Sequence, residues 1–128
     1  MIHIVYYKKS KKSNPNKYKI SLNGLLKLRI TKHPIITFDK AKVISFTFDG
    51  QELEGREGGT IAAALHANGI KVLSHSHGRK RPRGFYCAIG NCGQCNMIVN
   101  GVSNVRVCTQ MLKDGMVVIT QNDKGRLT

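Results

Sequence analysis

"GFYCAIGNCGQCNM", residues 84–97, places three cysteines within nine residues with glycines between them, and a fourth follows in "VRVCTQ", residues 105–110. Written out, the spacing is Cys87-x4-Cys92-x2-Cys95-x12-Cys108. Structural zinc sites commonly set two short cysteine knuckles face to face, and this chain has one such pair with the fourth cysteine standing alone. A disulfide framework is disfavoured, because three cysteines in one loop make poor bridging geometry. A chain of 128 residues also buries a core without covalent staples. Two cysteines with four residues between them, a third after two more residues and a distant fourth form the plant-type [2Fe–2S] pattern. Cys87, Cys92, Cys95 and Cys108 are therefore the expected ligands, with zinc as the remaining alternative.

The residues between the cysteines suit that chemistry. A cluster with four thiolates is net anionic, so its loop needs compensating donors. Gly90 and Gly93 allow the backbone to fold tightly and aim N–H groups at sulfur, as in other anion-binding nests. Ala88, Ile89 and Met97 are expected to form a dry wall on one side of the site.

The surrounding chain narrows the class of protein. Its length fits one domain with an appended arm. No run approaches the ~20 apolar residues of a membrane span. The start, "MIHIVYYKKSKK", lacks an apolar core followed by a small-residue cleavage site, so a cytoplasmic, reducing setting is the expectation. The net charge of +14 is uneven: residues 1–42 carry eleven Lys/Arg against one acid, and residues 43–128 carry ten against six. Nucleic-acid binders usually join such charge to a groove-entering motif or interleaved aromatics. This chain has no tryptophan and few aromatics, so an acidic partner protein or plain solvation is the better reading, and no nucleic acid is expected.

The local signals agree on an α+β order. "KVISFTF" alternates as a strand, Asp49-Gly50 is a two-residue hairpin turn, and "QELE" returns. Gly58-Gly59 break that strand, and Thr60 is the N-cap of a helix over "IAAALHAN". Gly69 is the left-handed residue that ends it, with Ile70 making the following apolar contact. "KVLSHS" reads as a short strand and "HGRKRPRG" as a basic loop held open by Pro82 and Gly84. "NMIVNGVSNVRV" is a second hairpin about Asn100-Gly101, and "MVVIT" a last strand. Upstream, "ISLNGLLKLRI" has the pattern of a strand or hairpin within a mobile or partner-ordered arm. "ITKHPIITF" suits an extended segment lying on a surface.

Three stretches carry a family resemblance: "FDGQELEGREGGTIAAALHANGI", "SHSHGRKRPRGFYCAIGNCGQC" and "VRVCTQMLKDGMVVITQ". Through them, residues 43–120 resemble the plant-type ferredoxin, or β-grasp, family. They are most similar to the small iron–sulfur components of flavin-dependent amine and amino-acid dehydrogenases. Those include the cluster-binding subunits of hydrogen cyanide synthase, opine oxidases and dye-linked proline or hydroxyproline dehydrogenases, and the sarcosine oxidase α-chain N-terminal domain. The resemblance implies a [2Fe–2S] ferredoxin-like β-grasp domain over 42–122 with a C-terminal tail over 123–128. Ahead of it lies a basic N-terminal arm over 1–41, partly extended or partner-ordered, whose first 29 residues the family pattern does not cover.

It also implies an electron-transfer subunit of a multi-subunit dehydrogenase, without catalytic residues of its own, relaying electrons from a flavin (FAD or FMN) held only by partner subunits. The short run from Cys95 to Cys108 sets the chain apart from photosynthetic carrier ferredoxins, whose gap is longer. A freely diffusing carrier is the alternative; a zinc-stabilised nucleic-acid binder rests on charge alone. Arg81 and Arg83, which adjoin the ligand loop within "RPRG", are expected to dock the flavoprotein partner, meeting its acidic face or a flavin phosphate. Arg79 and Lys80 read as solvated. His75 and His77 read as solvated or loop-packing residues, and His66 as a surface or edge position of the helix. No nucleophile–base pair, carboxylate dyad or nucleotide-binding glycine motif is present.

Overall fold

A computed structural model describes residues 29–38 and 40–126. The strand or hairpin expected over residues 20–30 falls almost entirely outside them. The chain forms β1 (Val43–Phe48), β2 (Gln51–Arg56), α1 (Ile61–Ala67), β3 (Ser74–His75), β4 (Pro82–Arg83), β5 (Asn96–Val99), β6 (Val102–Arg106) and β7 (Val117–Thr120). Five strands make one mixed sheet in the order β2-β1-β7-β5-β6, with β1 and β7 parallel at its centre and the other pairs antiparallel. This is the α+β, β-grasp arrangement: a sheet with one short helix packed against it.

The alternation of β1 decides which face is covered. Ile44, Phe46 and Phe48 point inward, and helix residues Ile61, Ala62, Ala64 and Leu65 close over them. Met97, Val107, Leu112 and Val118 fill the remainder at 1% exposure or less. Burying a side chain such as Phe46 contributes about 1.5–3 kcal/mol. Gly55, midway along β2, lies under this layer, and a Cβ there would run into the Leu112 side chain.

Both hairpin turns follow their dipeptides. Asp49 and Gly50 take φ of +46° and +83°, and Asn100 and Gly101 take +49° and +84°, the paired left-handed residues of a tight two-residue loop. The helix begins where Thr60 Oγ1 accepts the Ala63 N–H at 3.2 Å. It ends at Gly69, φ +77°, where the Ile70 N–H reaches the Leu65 carbonyl and the Gly69 N–H reaches that of His66, both at 2.9 Å.

Two regions depart from the expectations. The basic loop is not open throughout: Pro82 and Arg83 pair antiparallel with His75 and Ser74, making a second, two-stranded sheet. The ladder is short enough to accommodate a proline, which loses only one donor at an edge. Along residues 30–38, Ile30 and Ile35 are 68% and 88% exposed, so these two side chains are not packed against the domain. They turn locally about His33, whose Nδ1 accepts the N–H groups of Ile35 and Ile36. Among the described residues, no helix is long and apolar enough to cross a membrane.

Asp49 also joins the first turn to the last strand. Its Oδ1 accepts the Thr120 N–H at 2.8 Å and its Oδ2 the Thr120 hydroxyl at 2.7 Å. Asp49→Ala removes both bonds and leaves alanine at positive φ, so stability falls by about 1–3 kcal/mol. Asp49→Asn, which keeps an acceptor and tolerates that backbone, loses much less. Urea unfolding of the two variants measures the difference.

Candidate metal centre

The cysteine loop runs between β4 and β5, and its course is set by residues at positive φ. Ala88, Gly90 and Gly93 take φ of +56°, +80° and +68°. Each reversal turns following amides toward sulfur. The N–H groups of Asn91 and Cys92 both reach Cys87 Sγ at 3.3 Å, and that of Gln94 reaches Cys92 Sγ at 3.4 Å. The donors thus belong to residues after the glycines, and the glycines supply the bend. Gly90 is needed for a second reason: a Cβ there would come within 2.9 Å of Thr109 Cγ2.

Cys108 lies just past the end of β6 and is held from the helix side. The first N–H groups of α1 have no partner inside the helix. Here Ile61 donates to the Gln110 carbonyl and Ala62 to that of Val107, both at 3.0 Å. The Val107 N–H in turn reaches the Cys95 carbonyl at 3.4 Å. The third and fourth cysteines are therefore fixed on one frame. Cys95 is 5% and Cys108 7% exposed, whereas Cys92 is exposed and Cys87 half-buried.

The thiols stand as two pairs. The Cys92 N–H lies on Cys87 Sγ, and Cys108 follows Val107, whose N–H reaches the Cys95 carbonyl, so the four cysteines fall into two neighbouring pairs. All four are free. Among the described residues, no three Cys, His, Asp or Glu side chains gather around one ion-sized point. Two pairs fit the four-thiolate demand of a two-iron cluster better than the single tetrahedron of structural zinc. Amide donors at sulfur add to that fit.

The two pairs differ electrostatically. The Cys92 N–H, helped by those of Ile89 and Asn91, lowers the Cys87 thiol to about 6. Burial raises the Cys95 thiol to about 11, and the adjacent Cys108 thiol adds to the rise. Without metal, Cys87 is thus thiolate at neutral pH and Cys95 remains a thiol.

Several neighbours sit where the sequence did not place them. Ala88 and Ile89 build no dry wall: Ala88 is exposed and Ile89 is 74% exposed at the loop tip, while Met97 is buried beneath the sheet. Exposure of Ile89 follows from the left-handed turn at Ala88, which throws the next side chain outward. His66 is half-buried, an edge position of the helix. Its ring packs on Phe85 with centroids 4.6 Å apart, linking the helix to the lead-in of the cysteine loop. Ser74 Oγ donates to the Gln94 carbonyl at 2.5 Å, tying β3 to the same loop. No local motif marks these two contacts, which join residues 19 and 20 positions apart in the chain.

His75 and His77 are exposed, and Arg81 and Arg83 flank β3–β4 with their side chains toward solvent. Arg83 shares a cavity with Cys92 and Gly93; Arg81 lines a neighbouring one together with Arg79.

Comparison with known proteins agrees with this geometry. Residues 41–123 match the family described as 2Fe-2S iron-sulfur cluster binding domain. The chain is 34% identical over 100 residues to sarcosine oxidase subunit alpha of Rhizobium meliloti (strain 1021), covering 73% of this chain and 10% of that one. It is 28% identical to hydrogen cyanide synthase subunit HcnA of Pseudomonas protegens, covering 63% of this chain and 76% of the relative. Among solved structures, L-proline dehydrogenase from P. horikoshii shares 33% identity at a TM-score of 0.59, over 72% of this chain and 18% of that one. The chain therefore spans a small part of the sarcosine oxidase subunit and most of HcnA.

The thiol ordering is directly measurable. In cluster-free protein at pH 7, iodoacetamide should label Cys87 first and Cys95 last, as read by peptide mass spectrometry. Labelling of Cys87 should decline only as the pH falls through about 6. Preferential labelling of Cys95 would contradict the two environments.

Proposed function

Because the chain belongs to the 2Fe-2S iron-sulfur cluster binding domain family, we propose that Cys87, Cys92, Cys95 and Cys108 hold a [2Fe–2S] cluster that relays single electrons within a flavin-dependent dehydrogenase. The observation that carries this reading is a loop whose amides already point at the sulfurs of Cys87 and Cys92, with Cys95 and Cys108 tied together beside it through Val107. When bound, the cluster supplies a one-electron acceptor. The chain's own residues position it: Cys95 and Cys108 on the buried side, Cys87 and Cys92 at the exposed lip.

The reading continues to partners and substrate class. Relatives named as sarcosine oxidase, hydrogen cyanide synthase and L-proline dehydrogenase support a partner chain that oxidises an amino or imino acid of the sarcosine, proline or hydroxyproline type. The flavin, FAD or FMN, belongs to that partner, and this chain contributes no catalytic residue. Tyr86 and Ile89 project at the cysteine loop, 81% and 74% exposed, and Arg81 and Arg83 stand beside it. An apolar tip with arginines alongside has the composition of a protein interface. Residues 42–122 form the functional unit, and free thiols fit a reducing, cytoplasmic setting.

Anaerobic purification followed by iron and sulfide analysis with EPR tests the assignment. Two irons and two acid-labile sulfides per chain are expected, with a rhombic signal on reduction. A colourless protein carrying one zinc and no sulfide would overturn it. Cys87→Ala or Cys95→Ala should abolish the visible absorbance.

Docking is tested separately. Arg81→Glu should slow reduction by the co-purifying flavoprotein by about tenfold at low salt, consistent with loss of electrostatic complementarity, while the iron content stays unchanged. Unaltered reduction kinetics would remove Arg81 from the interface. Purification as a monomer with no bound flavoprotein would favour a freely diffusing carrier instead.

A further inference from the structure

A cavity of about 370 Å³ opens beside the cysteine loop, walled by that loop, the β3–β4 ladder and the C-terminal segment. Cys92, Gly93 and Gln94 line one side, and Ser74, His75, His77 and Arg83 a second. Asn104, Gln121, Asp123 and Lys124 close the third. That third wall is built rather than loose. Gln121, 9% exposed, exchanges two hydrogen bonds of 2.8 Å with Asn104, and the Arg126 N–H reaches Ser103 Oγ. Asn96 also lines the cavity; its buried Oδ1, without a hydrogen-bond partner among the described residues, is an acceptor and contributes nothing to holding an anion.

A second cavity of about 490 Å³ adjoins the first, sharing His77 and Arg83 with it, and adds Arg79 and Arg81. Asp123 is the sole carboxylate lining either one, and its Oδ1 is already engaged by the Gly125 N–H at 2.8 Å. Four full cations thus face space against one occupied acid. No aromatic side chain lines either cavity apart from the imidazoles, so neither offers a platform on which a flat ring would stack. What the trough offers is a surplus of N–H donors in arginine forks, more than one carboxylate can use. Phosphate, with three terminal oxygens and up to two charges, matches that surplus.

We propose that this trough is a binding site for a phosphate-class dianion, either free phosphate or the phosphomonoester end of a larger cofactor. Arg83 and Lys124, which line the same cavity, hold the anion, and Arg79 and Arg81 of the adjoining cavity extend the site outward. Because Cys92 lines the same cavity, the anion and the cluster feel each other's charge. Reduction adds one negative charge to the cluster, so the reduced protein binds the anion more weakly. By reciprocity, the anion lowers the reduction potential. The redox half of this inference rests on the cluster assignment above; the anion site does not.

Potentiometric EPR titration of the cluster-loaded protein, with chloride exchanged for inorganic phosphate at fixed ionic strength, reads the linkage. The midpoint should fall with phosphate and then level off. About tenfold weaker binding to the reduced form corresponds to 59 mV for a one-electron couple. A midpoint indifferent to the exchange overturns the linkage. Arg83→Gln with Lys124→Gln should remove the shift, whereas Lys40→Gln with Lys42→Gln, the same charge change outside the trough, should keep it. Equal loss in both pairs would reduce the effect to net charge and overturn the site.

Calorimetry with the purified protein, cluster-loaded or not, supplies the second arm. FMN binding more tightly than inorganic phosphate supports a phosphorylated cofactor as the source, and equal binding supports free phosphate. Riboflavin, which lacks the phosphate, should not bind; if it binds as FMN does, the proposal is wrong. Phosphate binding through Arg83 and Lys124 in a protein without acid-labile sulfide would sink the cluster reading and leave the anion site standing.

Discussion

The start of the helix is the point on which the rest of the structure hangs. A helix leaves its first N–H groups unpaired, and a buried donor without an acceptor costs about 1–3 kcal/mol. Thr60 Oγ1 takes one of these groups, and the carbonyls of Val107 and Gln110 take two others. The segment that supplies those carbonyls carries Cys108 between them. Its far end is held by the Leu112 N–H on the Gly59 carbonyl at 2.8 Å and by the bridge between Thr60 and Met111. The helix cap therefore does two things at once. It satisfies donors that the fold must satisfy anyway, and it sets the position of the fourth thiol relative to the third.

The other two thiols depend on a different balance. The loop carrying Cys87 and Cys92 has no comparable frame. It is shaped by left-handed residues, and a left-handed alanine such as Ala88 costs about 1–2 kcal/mol. Its return is three amides at sulfur, and these are worth most when the sulfur is ionised. So the loop is most favourable when charge is present and the frame is favourable always. That division places the rigid pair inside and the responsive pair at the surface, where the proposed exchange of electrons with a partner would need exposure.

Much of this was legible in the sequence, for a local reason. Asp49-Gly50, Asn100-Gly101, the Thr60 cap and the Gly69 terminus each act within a few residues, so their chemistry is written where it works. The alternation of β1 likewise announces its own buried face. What was not legible joins distant residues or runs against local preference. Pro82 reads as a strand breaker, yet a two-residue ladder tolerates it, and Ser74 fastens that ladder to Gln94. His66 meets Phe85 only because the chain returns across the helix. Ile89 reads as a buried apolar residue until the reversal at Ala88 is known, since one left-handed residue decides which way its neighbour faces.

Charge ties these features together. An anionic, four-thiolate site is costly on an acidic surface and far less so on a basic one. A unit charge about 8 Å away, at an effective dielectric near 20, contributes roughly 2 kcal/mol. Arg83 shares a cavity with Cys92, and Arg79 and Arg81 line the cavity next to it, so their combined field would make an added electron easier for a cluster there to accept. The same field is open to solvent and hence to any anion that reaches it. A ligand that neutralises the arginines withdraws the help they give the cluster, whether it is a small anion or the acidic face of a partner. Under the proposed function, a basic strip beside the cluster would act as a control point as well as a docking surface. The electron's energy then depends on what occupies the strip at the moment of transfer.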